Sequence, residues 1–423
     1  MAAYSAQPKD DLSSRVADRP LLLVLASTYP RWAGDPEPGF VHELSRRLTG
    51  RFRVVVIGPH APGALGQELL DGVEVHRYRY APERWQTLVN DGGIVTNLRR
   101  SKWKWLLVPS FVLGQAWAAW RILRRENVDV IHAHWLLPQG LIAAALQHLP
   151  RQVVPFVATS HGADLYALKG CLPNTLKRFV AAKAAAVTVV SNAMGKELSG
   201  LGVDAGKVHV RSMGVDFQNR FVPDESVSRS RDELLFVGRL VEKKGLSYLL
   251  DAMLLVLAKH PDAVLTIAGF GPEQDALEDQ ASRLGIERNV CFLGAVPQER
   301  LPNLYRRAAV FVAPFVQAAS GDQEGLGLVL VEAIGCGCPV VAGDVPAVRD
   351  VLGEGSSYCV DPRQPVALAD AILRVLDDPY STAHHAADLR EALAERLDWE
   401  RVADDYAKVL AGCCRHDDKR ESV

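Results

Sequence analysis

Two carboxylates interrupt an otherwise apolar run. In QEGLGLVLVEAIGCGCPVV, residues 323–341, Glu324 and Glu332 are separated only by Gly, Leu and Val. On a single helix, eight residues would place them about 12 Å apart. That is too far for the paired carboxyls of a glycoside hydrolase. It suits one extended ligand touched at two points. Glu332 falls in a segment that is apolar all round, which predicts a buried helix, and a carboxylate there needs partners such as ligand hydroxyls. A cationic set stands upstream in VGRLVEKKGLSYLLDA. An apolar strand ends at Gly238, then come Arg239, Lys243, Lys244 and Gly245, and then a helix starts. The free N–H groups of a helix start, a forked guanidinium and an ammonium together suit a diphosphate.

Histidines mark two further strand ends. In TSHGADLY, His161 and Asp164 follow an apolar strand, where open α/β sheets bind their ligands. In HAHW, His132 and His134 share one face of a strand, next to Trp135 and Pro138. No third ligand stands at metal spacing, so they read as cleft lining rather than a zinc site. Gly34 and Gly39 lie in the loop of ASTYPRWAGDPEPGF and face the substrate by position. The Gly269-Phe270-Gly271 triplet imitates a dinucleotide fingerprint, but its third glycine is replaced by Gln274. NAD is not expected.

The elements that must position these residues alternate regularly. Apolar runs at 21–27, 52–58, 128–134, 154–160 and 186–191 read as strands. They show too little polar alternation for a sheet wetted on one face, which predicts parallel strands covered on both sides. Helices are expected at 40–49, 111–125, 138–148, 172–182 and 193–201. The rhythm restarts with strands at 233–240, 263–269, 290–294, 309–315 and 339–343. Helices are expected between them at 246–259, 273–284, 299–306 and 326–335. The fold class is therefore α/β, with two doubly wound Rossmann-like domains facing a cleft. The expected boundaries are a disordered tail at 1–19, a first domain at 20–215, a second at 216–396 and a closing helix at 397–412.

Composition narrows the function. The chain has 423 residues and a net charge of -2, so no global field draws it to nucleic acid. Its seven cysteines match no zinc or redox spacing and read as small buried residues of a reducing cytosol. The segment 97–126 carries seven Lys/Arg against one Glu and four of the eight tryptophans, the make-up of an interfacial membrane segment. A packed domain helix beside a basic loop is the other reading. Its uncharged stretch, 105–120, is shorter than the roughly twenty residues of a spanning helix. A cytoplasmic protein, peripheral to the inner membrane through 97–126, is the expectation.

GRLVEKKG, the two glutamates with seven residues between them, HGAD, the GVDFQNRF segment and the closing LDWERVADDYAKVL together resemble the family 4 retaining glycosyltransferases of GT-B fold. The resemblance runs from about residue 21 to 410. It implies that Arg239 and Lys244 bind the donor diphosphate and that Glu332 holds the ribose hydroxyls. It implies that Glu324 contacts the donor sugar, helped by backbone N–H groups of Gly325 and Leu326. It brings His161 to the reacting side, and Asp164, Gly34, Gly39 and Gly238 into the donor site. No cofactor is implied beyond a UDP- or GDP-linked sugar, and with no Asp-x-Asp in the chain no catalytic metal is expected. The ASGDQEGLGLVLVEA variant is similar to enzymes of bacterial exopolysaccharide assembly, which implies a lipid-linked saccharide acceptor. Asp344 stands where the family often has a glycine. A GT-B epimerase or phosphorylase, or a non-catalytic membrane-surface scaffold, are the competing readings.

Overall fold

The computed structural model describes residues 19–35, 39–90, 93–149 and 153–415. The expected tail, 1–19, lies outside these apart from Arg19. Two mostly parallel sheets organise the chain. The first contains β1 (Leu21–Leu25), β2 (Arg53–Pro59), β3 (Gln67–Leu70), β4 (Val73–Tyr78), β5 (Val130–His134), β6 (Phe156–Ser160), β7 (Ala186–Val189) and β8 (Val208–Val210), in the order β3-β4-β2-β1-β5-β6-β7-β8. The second contains β9 (Glu233–Val237), β10 (Val264–Ala268), β11 (Val290–Gly294), β12 (Val310–Ala313), β13 (Val340–Gly343) and β14 (Cys359–Val360), in the order β11-β10-β9-β12-β13-β14. The central strands are buried along their length because helices cover both faces, as their unbroken Leu, Val and Ile runs require. The winding direction reverses at β1/β5 in one sheet and at β9/β12 in the other, and ligands of such folds lodge beyond those strand ends.

Several elements go beyond the sequence expectation. The antiparallel β3–β4 hairpin turns on Asp71 and Gly72, both at positive φ, an Asp-Gly hairpin signal plain in the sequence. Helices Gly93–Arg100, Pro346–Leu352, Pro365–Asp377 and Pro379–Leu397, with strands β8 and β14, likewise lie outside the sequence expectation. The three late helices all start on a proline, whose fixed φ favours the first helical turn. The helix expected from 326 begins instead at Leu328, because Gly327 sits at φ +84°. Only Glu332 is therefore helical, and the straight-helix ruler from Glu324 does not apply. The cysteine expectation is corrected too: Cys336 and Cys338 are buried, but Cys171 and Cys291 are exposed.

Residues 97–126 take in the end of the helix Gly93–Arg100, a short 3-10 turn, Lys102–Leu106, and a helix, Leu107–Arg125. The segment Lys102–Arg125 is long and apolar enough to cross a membrane by length and composition. However, Leu107, Phe111, Gln115, Ala119 and Leu123 recur every four residues and are buried on one face. Gln115 donates to the carbonyls of Ala26 and Ile57, at the ends of β1 and β2. This helix is thus a packed part of the first domain whose outer face remains exposed.

The last helix, Trp399–Cys413, returns to the first domain and packs on the helix Phe40–Leu48. Tyr406 donates to the Arg211 carbonyl, and the Arg47 guanidinium lies over the Trp399 ring. Where the chain crosses over, the Val215 N–H donates to Leu397 O and Val215 bridges to Asp398.

Between β9 and the helix Leu246–Lys259, a 3-10 turn over Glu242–Lys244 ends at Gly245, in the left-handed region at φ +68°. A Cβ there would meet the Pro314 carbonyl oxygen at 1.8 Å. Gly245→Ala is therefore expected to destabilise the protein by about 3 kcal/mol. A denaturant unfolding midpoint close to that of the parent would contradict this packing.

Candidate active site

Most of the predicted groups come from a strand end or from the turn or loop beyond it. β9 delivers Gly238 and Arg239, the following turn delivers Lys243 and Lys244, and the loop after β12 delivers Glu324 and Gly325. Glu242 accepts from the Ala319 N–H, and the Val316 N–H donates to the Lys243 carbonyl, so turn and loop are tied together. The Lys243 ammonium stands 3.3 Å from Asp322 and 3.5 Å from Glu324, and the Lys244 ammonium stands 3.3 Å from Glu324. Burial alone would raise the Glu324 pKa, but Lys244 and Lys243 outweigh it and hold the carboxyl at about 2. Lys244 is itself shifted down, by burial first and then by Lys243 and Arg239, against the pull of Glu324. Its ammonium also rests 4.5 Å over the Phe315 ring. An arriving anion would relieve this crowding of positive charge.

Glu332 is half-buried on the helix Leu328–Gly335. Its carboxylate accepts from the Tyr305 hydroxyl at 3.0 Å. Burial raises its pKa, and the Tyr305 hydrogen bond opposes that rise. Tyr305 has no sequence signal, since its partner lies 27 residues away on another helix.

The first domain meets this set across the cleft. Arg239 donates to the Thr96 hydroxyl at 3.1 Å, another contact that sequence reasoning misses. Gly162, at φ +109°, faces Gly325: a Cβ on Gly162 would lie 3.2 Å from Gly325 Cα, and one on Gly325 would lie 2.7 Å from the His161 carbonyl oxygen. Two bare backbones therefore touch beside Glu324. Leu326, next along, is buried. The His161 ring sits between Phe40 and Trp135, with ring centroids 4.8 and 5.0 Å away. Burial pushes its pKa down to about 3, so the ring is neutral.

Asp164, expected in the donor site, has its hydrogen bonds taken up within the first domain. Its carboxylate is buried and accepts from the Leu136 N–H at 2.7 Å, the Ser160 hydroxyl at 2.9 Å and the His161 N–H at 3.3 Å. It holds the β5 and β6 strand ends together, and so positions His161. Gly34 lies in an exposed turn, φ +77°, beside the Arg31–Asp35 ion pair, and Gly39 precedes the helix Phe40–Leu48. The buried Arg77 side chain donates to the Pro30 carbonyl and anchors this loop. Asp344 pairs with Arg349 at 2.7 Å. A cleft of about 560 Å³, lined by Tyr166, Lys196, Gln323, Arg349 and Asp350, opens between the domains. Arg239, Lys244, His161 and Glu332 are not among its lining residues. Among the described residues, no group of three or more His, Cys, Asp or Glu is placed to hold a metal ion.

His132 and His134 are fully buried, and desolvation lowers both, His132 to about 3. Below pH 6.5 an unfolded chain protonates these imidazoles, whereas the folded chain keeps them neutral. The unfolding free energy should then fall as the pH drops from 6.5 towards 3, by up to about 1.4 kcal/mol per pH unit for each ring. Denaturant midpoints at pH 7 and pH 5 check this, and equal midpoints would contradict it.

Comparison with known proteins bears on the family and the fold. Residues 40–219 match the family model "Glycosyltransferase Family 4", and residues 219–396 match "Glycosyl transferases group 1". A GDP-mannose-dependent alpha-(1-6)-phosphatidylinositol monomannoside mannosyltransferase of Mycolicibacterium smegmatis is 31% identical over 304 residues, spanning 69% of this chain and 78% of that protein. Among solved structures, sucrose-phosphate synthase from Thermosynechococcus elongatus superposes with a TM-score of 0.75 at 21% identity, covering 93% of this chain and 99% of that one. Anabaena HepE, solved with UDP-glucose, gives 0.69 at 20% identity, covering 93% and 99%. These likenesses establish the GT-B fold. Two family models that meet at residue 219, and a mannosyltransferase relative above 30% identity, show that this chain belongs to the family 4 glycosyltransferases.

Proposed function

We propose that this glycosyltransferase moves a hexosyl group from a nucleoside-diphosphate sugar to an acceptor hydroxyl, with retention of anomeric configuration and without a metal. The observation that carries this reading is the convergence of Arg239, Lys243 and Lys244 on one strand-end turn beside the largely shielded Glu324. Arg239 and Lys244 take the diphosphate and stabilise it as it leaves. Glu332, steadied by Tyr305, takes the ribose hydroxyls. Glu324 and the backbone N–H groups of Gly325 and Leu326 take the sugar. The C1–oxygen bond to the diphosphate breaks, the acceptor oxygen bonds C1 on the same face, and its proton passes to the leaving phosphate. His161, held neutral, contributes a hydrogen bond rather than a charge.

The donor base is uracil or guanine. The mannosyltransferase relative uses GDP-mannose and HepE was solved with UDP-glucose, and this chain resembles both. The acceptor is a lipid-linked saccharide at the inner leaflet, in glycolipid or exopolysaccharide synthesis. Support comes from the phosphatidylinositol mannoside relative and from the face carrying Trp103, Trp105, Leu106, Leu113 and Trp117, all exposed, among Lys102, Lys104, Arg121 and Arg124.

Arg239→Ala is expected to abolish transfer while the melting temperature stays near that of the parent. Normal turnover by the variant would remove the donor-site assignment. A melting-temperature screen of the parent against UDP, GDP and their sugars identifies the donor, because a ligand of the native state alone raises its stability. For the membrane face, Trp103→Ser with Trp105→Ser should release the protein from anionic phosphatidylglycerol vesicles in a flotation assay. Failure of the parent to float with them would end the lipid reading without touching the donor site.

A further inference from the structure

The buried histidine behind His161 has no role in the reaction outlined above. His134 ends β5 with no exposed surface, and its Nδ1 lies 2.9 Å from His161 Nε2, with the two rings nearly parallel, 7° apart. Among the described residues, His134 Nε2 has no hydrogen-bond partner. His132 stands behind it, ring centroids 4.1 Å apart, and is engaged elsewhere: its Nε2 bonds the Thr159 hydroxyl at 2.7 Å, which in turn meets Thr188.

Proton counting fixes the arrangement. Two neutral imidazoles carry two ring protons on four nitrogens, and their shared hydrogen bond needs a proton on one of the two facing nitrogens. If His161 Nε2 donated, the His134 proton would have to sit on Nε2, a buried N–H with no acceptor. If His134 Nδ1 donates, the same Nε2 is a bare lone pair. An orphaned buried donor is rarer and costlier than an unfilled acceptor. The second arrangement therefore holds. It leaves His161 with its proton on Nδ1, the only ring nitrogen that His134 does not occupy.

We infer that His134 is a positioning residue that locks His161 as the Nδ1–H tautomer, so that His161 presents a hydrogen-bond donor to an oxygen in the cleft and not a basic nitrogen. This rests on the proposed place of His161 at the reacting end of the donor site. Desolvation of both rings, complete at His134 and partial at His161, favours their neutral forms and is consistent with it. It also separates His161 from a general base, which would need its outward nitrogen bare.

The test is long-range 1H–15N NMR on the full chain with 15N-labelled histidine, the His161 signals being assigned by their loss in His161→Asn. The parent should show the Nδ1–H pattern at His161. An Nε2–H pattern there overturns the inference outright, whatever the activity. His134→Leu should shift His161 to the Nε2–H form favoured in water and lower kcat about 10- to 100-fold with the donor KM little changed. His134→Asn, whose amide N–H can reach the same nitrogen, should restore the Nδ1–H pattern and most of kcat. An unaltered His161 pattern in His134→Leu would also overturn it. Should that variant fail to fold, the parent spectrum alone decides. The tautomer is read without substrate, so an Nδ1–H pattern in an enzyme that transfers no sugar would leave the inference standing while removing the functional reading.

Discussion

A carboxylate withdrawn from water between two ammonium groups sets the terms for the rest of this molecule. Glu324 lies within 3.5 Å of both Lys243 and Lys244, and all three are largely shielded from solvent. Taking charges out of water is expensive unless they are paired closely. The pairing therefore constrains both segments that carry it. The 3-10 turn must end in a left-handed residue at Gly245, and the loop after β12 must run back past it to Gly327 before a helix can start. The same loop brings Gly325 against the backbone of His161, so the first domain is placed by what holds the second domain's charges.

Much of this was legible in the sequence, and for physical reasons. Buried parallel strands leave unbroken apolar runs, and all ten expected strands are present with ends within a few residues. The cationic turn was visible because Arg239 and two lysines at the end of an apolar strand are costly there without a purpose. What escaped was of two kinds. The β3–β4 hairpin and the proline-headed helices after β13 carried local signals that a reading for apolar runs passes over. Tyr305 with Glu332, and Thr96 with Arg239, had no local signal, since tertiary packing alone joins residues so far apart in the chain.

Asp164 and Glu332 show why residue type alone does not assign a role. Both are acids near the cleft, and burial raises the pKa of both. The difference lies in who satisfies them. Asp164 has three donors from its own chain and faces inward, whereas Glu332 has one tyrosine hydroxyl and is only half-buried, with oxygen lone pairs to spare. A saturated carboxylate is architecture, and an unsaturated one is an invitation to hydroxyls.

The crossover at Val215 and Asp398 bears on motion. The chain passes between the domains once on the way out and once on the way back, and there the two passages are joined by a backbone hydrogen bond and a β-bridge. A pair of domains tethered by one strand can swivel, slide or separate. Tethered by two that are fastened together, they keep a single axis. An opening that admits a donor is then a hinge about that fastening, and it has to part the close Gly162–Gly325 backbone approach.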